Sequence, residues 1–128
     1  MADPANATPV CNLVAIDIGR FGNAVLIEAA SGKRHRFKMA NTAADFGRLL
    51  NFLRKLPGDC RVGLEPTGDY HRPIARRLLC AGFEVVSINS VALSRYREAL
   101  FNSWDKNDPK DAGVILEMLR RGAVQALC

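Results

Sequence analysis

Four acidic residues, Asp17, Glu65, Asp108 and Asp111, stand where a carboxylate needs a reason to be. Asp108 and Asp111 are three apart, with Pro109 between them. An apolar run follows, Val114, Ile115, Leu116, Met118 and Leu119, spaced like one face of a helix. Asp108 suits the N-cap of that helix, Pro109 its first position and Asp111 its third. Residues three apart share a helix face, so both carboxylates can point at one spot. Capping and the helix dipole favour Asp at both places too, so a well-capped helix accounts for the pair unless other acids arrive there. Asp17 lies late in Cys11 to Ile18, an apolar run that predicts a strand buried on both faces, where an unpaired charge is costly. Glu65 ends a second such run, Cys60 to Leu64. If these two strands are adjacent and parallel, both acids project at the end of the sheet where ligands collect in open α/β folds. Carboxylates that close repel one another and cannot all stay ionised in a low-dielectric pocket. A divalent cation removes the conflict: Mg²⁺ (or Mn²⁺) takes oxygen ligands and keeps several waters, so a few carboxylates suffice. Two such ions can activate an attacking oxygen and stabilise a leaving one at a phosphodiester, with no His, Cys or Ser taking part.

The other polar residues have plainer explanations. Asp59, Asp69 and Asp105 read as solvated loop acids, and His35 and His71 as surface histidines. Ser87, Ser90, Ser94 and Ser103 have no nearby His partner and no nucleophile-elbow glycine pattern, so serine-hydrolase chemistry has no support. Cys11, Cys60, Cys80 and Cys128 have no paired close spacing, which argues against zinc and for reduced thiols in a cytoplasm. The first residues carry no basic start or apolar block, and no apolar run is long enough to span a bilayer. The expectation is a cytoplasmic protein with no membrane partner. A net charge of +5 leans toward an anionic partner, of which nucleic acid is the first choice.

The elements that must position the acids follow from patterning. At 128 residues and 48% hydrophobic, the chain makes one domain with a real core, residues 11–128, behind a loose tail of residues 1–10. Strands are expected at Cys11–Ile18, Ala24–Ala29 and Arg34–Met39, joined by short turns as an antiparallel meander. Thr42 begins a helix with a stripe of Phe46, Leu49, Leu50 and Leu53, ended by Pro57-Gly58. Cys60–Leu64 is the fourth strand. A second helix runs from about Asp69 to Cys80, with Pro73 tolerable in its first turn. Phe83–Ile88 is the fifth strand, and Val91 to Leu100 a helix with Arg95 and Arg97 among its exposed residues. Helices alternating with the later strands imply parallel pairing there. The fold class is therefore α/β: a mixed five-stranded sheet, its first three strands antiparallel, with helices on both faces.

Four segments occur in an order that resembles a known family: Val14-Ala15-Ile16-Asp17-Ile18-Gly19, Leu64-Glu65-Pro66-Thr67-Gly68-Asp69-Tyr70-His71, Phe83-Glu84-Val85-Val86-Ser87-Ile88-Asn89 and Lys106-Asn107-Asp108-Pro109-Lys110-Asp111-Ala112. Over about Val14 to Arg121 the chain looks like the N-terminal domain of the DEDD transposases of bacterial insertion sequences, the family that includes the Piv-type DNA invertases. That resemblance implies an RNase H-like fold close to the RuvC-type Holliday-junction resolvases. It maps the family's four acids onto Asp17, Glu65, Asp108 and Asp111, where they hold Mg²⁺ for DNA strand cleavage and exchange. It also implies a C-terminal domain with a serine nucleophile, a structured guide RNA from the element and a homo-oligomeric full-length protein. No serine here matches the second domain's motif, so an N-terminal catalytic domain without that partner is expected. Among the basic residues, Arg20, Arg72, Lys106 and Lys110 are the ones expected to meet phosphates, which position a nucleic acid without reading its sequence. Tyr70 and Trp104 can stack on bases or pack in the protein.

Two other classes compete. One is a non-enzymatic nucleic-acid docking or assembly module whose acids are structural; it predicts salt-sensitive binding with no metal requirement. The other is a fragment of an actin-like or sugar-kinase ATPase, suggested by Ile16-Asp17-Ile18-Gly19 before a turn, though the chain is too short to form two lobes.

Overall fold

A computed structural model describes residues 11–66, 68–100 and 110–126. The sequence folds as a mixed sheet with helices on both faces. Its elements are β1 (Cys11–Asp17), β2 (Asn23–Glu28), β3 (Arg34–Met39), α1 (Ala43–Lys55), β4 (Asp59–Leu64), α2 (Arg72–Cys80), β5 (Glu84–Ser87), α3 (Ser90–Ala99), α4 (Lys110–Arg121) and β6 (Gln125–Ala126). The strand order is β3-β2-β1-β4-β5-β6. β1, β2 and β3 pair antiparallel, and β1, β4 and β5 pair parallel, as the patterning implies. The five expected strands are all present. The two-residue β6, antiparallel to β5, extends the sheet beyond them; a strand that short has no periodicity to read.

Alternation along β1 divides the core. Val14 and Ile16 pack with Phe46, Leu49 and Leu53 of α1 and with Ile74 and Leu78 of α2. Ala15 belongs to the other layer, with Leu93 of α3 and Ala112, Ile115, Leu116 and Leu119 of α4. Asp17 has the parity of Ala15, which turns it toward the α3–α4 layer. Ala15 is in register with Gly63 of β4. A Cβ on Gly63 would lie 2.7 Å from Leu119 Cδ2. The two small residues thus form a trough that seats α4 close against the centre of the sheet.

Side-chain caps begin two of the three helices whose N-caps are described. The Thr42 side chain accepts from Asp45 N–H, and Asp45 in turn accepts from Ala40 N–H at 2.7 Å. Asn89 accepts from Val91 and Ala92 N–H at the start of α3. α2 begins at Arg72 rather than Asp69. Residues 68–71 form a turn instead, and His71, the N-cap, makes no side-chain cap bond. The cap of α4 lies outside the described residues.

One buried polar residue ties three elements together. Asn12, 1% exposed, donates from Nδ2 to the carbonyls of Pro57 and Asp59, each at 3.0 Å. Its Oδ1 accepts from Ala30 N–H at 2.9 Å. Asn12→Ala strands these groups away from water, and each buried unsatisfied group costs roughly 1–3 kcal/mol. We therefore expect a loss of about 2–4 kcal/mol in urea unfolding, with an unchanged m-value. A loss below about 1 kcal/mol would show that the loop carbonyls find other partners.

Candidate functional site

Parallel pairing places the first two acids. Ile16 is in register with Leu64; Asp17 is the last residue of β1 and Glu65 directly follows β4. They therefore lie side by side at the carboxyl ends of adjacent central strands. The third acid arrives from the α4 trough: Asp111 is in the first turn of α4, the helix seated over Ala15 and Gly63. Asp108 lies outside the described residues, as do Trp104, Asp105, Lys106, Cys128 and the tail, residues 1–10.

Electrostatics reports the same convergence. The Asp17 carboxyl is held above its ordinary value of 3.8, first by burial and then by the charges of Asp111 and Glu65; Arg97 opposes this. Arg97 is the residue that sequence reasoning misplaced. It is half-buried rather than exposed, and its Nε donates to Asp111 Oδ1 at 3.0 Å. The pattern carried a signal for it: Arg97 falls four residues after Leu93, the buried residue of α3, and so on the same helix face. With both partners about one-third exposed, the pair is worth little to stability. Its importance is as a positive charge paired with Asp111 that also acts on Asp17.

The donor chemistry fits a hard divalent cation, since half-buried carboxylate oxygens that repel one another need positive charge between them. Among the described residues, however, no group of three or more His, Cys, Asp and Glu is gathered closely enough to hold a metal ion. Arg97 supplies the cationic partner in this arrangement.

Beside Asp17 the chain makes a tight, pinned turn. Asn23, 3% exposed, accepts from Gly19 N–H with Oδ1 at 3.1 Å and donates to Asn41 Oδ1 at 2.7 Å. Asn41 donates to the carbonyls of Gly19 and Arg20 at 3.2 and 3.4 Å. A Cβ on Gly19 would lie 2.5 Å from the Gly22 carbonyl oxygen, so this close approach requires glycine. A cleft of about 510 Å³ opens along the turn; Asp17, Phe21, Lys38 and Asp45 are among its walls.

The expected phosphate-contacting residues separate. Arg20 is on the pinned turn, its guanidinium 5.1 Å from the Phe21 ring centroid. Arg72 is exposed and paired with Asp69 at 3.2 Å. Lys110 opens α4 directly before Asp111. His35 is not a free surface residue: its ring meets Phe52 edge-on at 4.9 Å. His71 is also half-buried, with a buried Nδ1 that has no hydrogen-bond partner among the described residues. Asp69 is exposed in a turn, as expected; Asp59 is exposed too, but as the first residue of β4 rather than in a loop. Cys11, Cys60 and Cys80 are free thiols. No helix among the described residues is long and apolar enough to cross a membrane.

Comparison with known proteins gives a family and a fold. The model of the IS110-type DEDD family, described as "Transposase", matches residues 14–127. The structure of Thermus thermophilus RuvC is similar with a TM-score of 0.60 at 14% identity, over 91% of this chain and 99% of that one. T. thermophilus RuvC in complex with Holliday junction substrate is similar with a TM-score of 0.58 at 13% identity, over the same shares of the two chains. At such identities the likeness is one of fold. No curated protein matches the sequence.

Proposed function

The chain belongs to the IS110-type DEDD transposase family, and from that premise we propose that it is the catalytic domain of a DNA recombinase, cutting and exchanging strands at a site built from Asp17, Glu65, Asp111 and Asp108. The observation that carries this reading is that Glu65 and Asp111 both act on the half-buried Asp17 carboxyl, adding to the burial that holds it above its ordinary value. In this reading the carboxylates hold Mg²⁺ or Mn²⁺. Bound there, the cation supplies activation of an attacking oxygen and stabilisation of a leaving one at a phosphodiester. The protein's own residues supply the frame. Asp17 is fixed by the central strand, Glu65 by its neighbour, and Asp111 by the seating of α4. Arg97 orients the Asp111 carboxylate and balances charge. Arg20 on the turn and Lys38 in the cleft beside Asp17 are the cations offered to a strand's phosphates, contacts that position DNA without selecting its sequence.

A second reading is favoured by Arg97. Its pairing with Asp111 already neutralises part of the cluster, so the acids could be structural and the domain a nucleic-acid docking module. Calorimetric titration with Mn²⁺ at low salt separates the two, comparing wild type with Asp111→Asn, with and without a branched DNA duplex. Saturable binding that is lost in the variant is the expected result. Unchanged Mn²⁺ affinity in the variant, or DNA binding that is salt-sensitive yet indifferent to metal and to the variant, would favour the docking role.

A further inference from the structure

We propose that Phe21, carried on the pinned turn beside Asp17, is a stacking platform for an unpaired base of the strand that reaches the acids; this rests on the strand-exchange reading above. Phe21 is 88% exposed, the most exposed large apolar side chain among the described residues. A single exposed apolar residue is ordinary on a protein surface. The backbone beneath this one is not. Asn23 and Asn41 bind both sides of the turn, and the glycine contact across it leaves no room for a side chain at Gly19. The ring is therefore presented by a fixed backbone, and it gives nothing to the core.

Its surroundings select the partner. The ring shares the cleft with Asp17, so a base stacked on it places the adjoining backbone beside the acids. Arg20 lies over the ring and Lys38 lines the same cleft, so positive charge is at hand for an adjoining phosphate. The other cleft acid, Asp45, is already paired with Arg48 and accepts from Ala40 N–H. An aromatic face with flanking cations is how single strands are held without sequence preference. Beside Phe21 the cleft walls carry Lys38 and Asp17 as well as the apolar Met39 and Ala40, so a base finds both a ring face and charge there.

The test uses a forked DNA duplex with 2-aminopurine in its single-stranded arm, titrated at low salt in chelator with the 128-residue chain. Wild type is expected to quench the probe. Phe21→Ala and Phe21→Leu should lose the quenching and bind about 5- to 100-fold more weakly, with the salt slope unchanged because the phosphate contacts remain. Phe21→Trp should restore both. Equal binding and quenching by wild type and Phe21→Ala overturns the proposal. So does a wild type that does not quench. So does loss of self-association in Phe21→Ala, read by light scattering, with DNA affinity intact, which would assign the ring to a protein interface. Asp17→Asn run alongside keeps the two ideas apart. Quenching that survives in that variant shows the platform working without the acid. Failure of the metal reading appears only as Mn²⁺ affinity indifferent to the acids.

Discussion

Asp17→Asn is expected to abolish Mn²⁺ binding and, in the same preparation, to raise the melting temperature of the metal-free protein at neutral pH. The first effect follows from removing a carboxylate from the centre of the cluster. Even groups one step removed from a metal typically change its affinity by about 10- to 100-fold, so loss of a direct ligand should exceed about 100-fold. The second effect follows from proton linkage. The folded carboxyl titrates above its ordinary value of 3.8, because of burial and then the neighbouring acids. Between 3.8 and that raised value the folded state keeps a proton that the unfolded state has lost. Stability therefore falls as pH rises through this window, and the deficit persists at pH 7. Asn carries no charge and removes the deficit. Asp45 has the opposite sign. Its carboxyl is held below 3.8, chiefly by the Ala40 N–H bond and then by Arg48, so its contribution is lost only as pH falls beneath 3.8. The two windows lie on opposite sides of that value and can be read separately. Thermal melts in chelator across the acid range should show a flatter upper limb for Asp17→Asn than for wild type. A variant that melts lower at pH 7 and still binds Mn²⁺ would make Asp17 a satisfied structural acid.

Gly63→Val should destabilise the domain without touching a polar group. The Cβ alone would meet Leu119 at 2.7 Å, with the Leu119 Cγ at 3.0 Å and Cδ1 at 3.1 Å. Leu119 is 2% exposed, so it has little room to yield. Overpacking of this kind costs about 1–3 kcal/mol, against which valine's better strand propensity returns at most about 1 kcal/mol. Leu119→Ala alone leaves a cavity worth about 2–5 kcal/mol. The double variant should fill that cavity, giving a favourable coupling of more than about 1 kcal/mol in a double-mutant cycle by urea unfolding. Simple additivity would show that α4 is not seated in the Ala15–Gly63 trough. The same displacement of α4 carries Asp111 away from Asp17, so Gly63→Val should also weaken Mn²⁺ binding while Gly63→Val/Leu119→Ala recovers it.

Much of this arrangement was legible in the residues. An acid at the end of each of two apolar runs is informative because strand parity and parallel pairing are coarse features, and they brought Asp17 and Glu65 to one edge. The first helix was legible through Thr42 and its apolar stripe. The start of α2 was misread because residues 68–71 supply no capping side chain, so the chain turns there before Pro73 sets the first helical turn. β6 escaped because two residues have no pattern. Arg97 and Asn23 escaped for a different reason. Their importance lies in partners 14 and 18 positions away, Asp111 and Asn41, and no local period encodes a contact between elements. Exposure was the natural assumption for an arginine on a surface helix. The half-buried placement arises only once α3 and α4 lie against each other.

The position of β1 has a kinetic consequence. It is hydrogen-bonded along both edges, to β2 and to β4, and Val14, Ala15 and Ile16 are fully buried. Amides in such a strand exchange with solvent only when the whole domain opens. Asp17 is thus anchored to the slowest-opening part of the molecule. Asp111 is carried by α4, whose Ala112, Ile115, Leu116, Met118 and Leu119 are also at most 2% exposed, so the spacing of the two charges is held by the core on both sides.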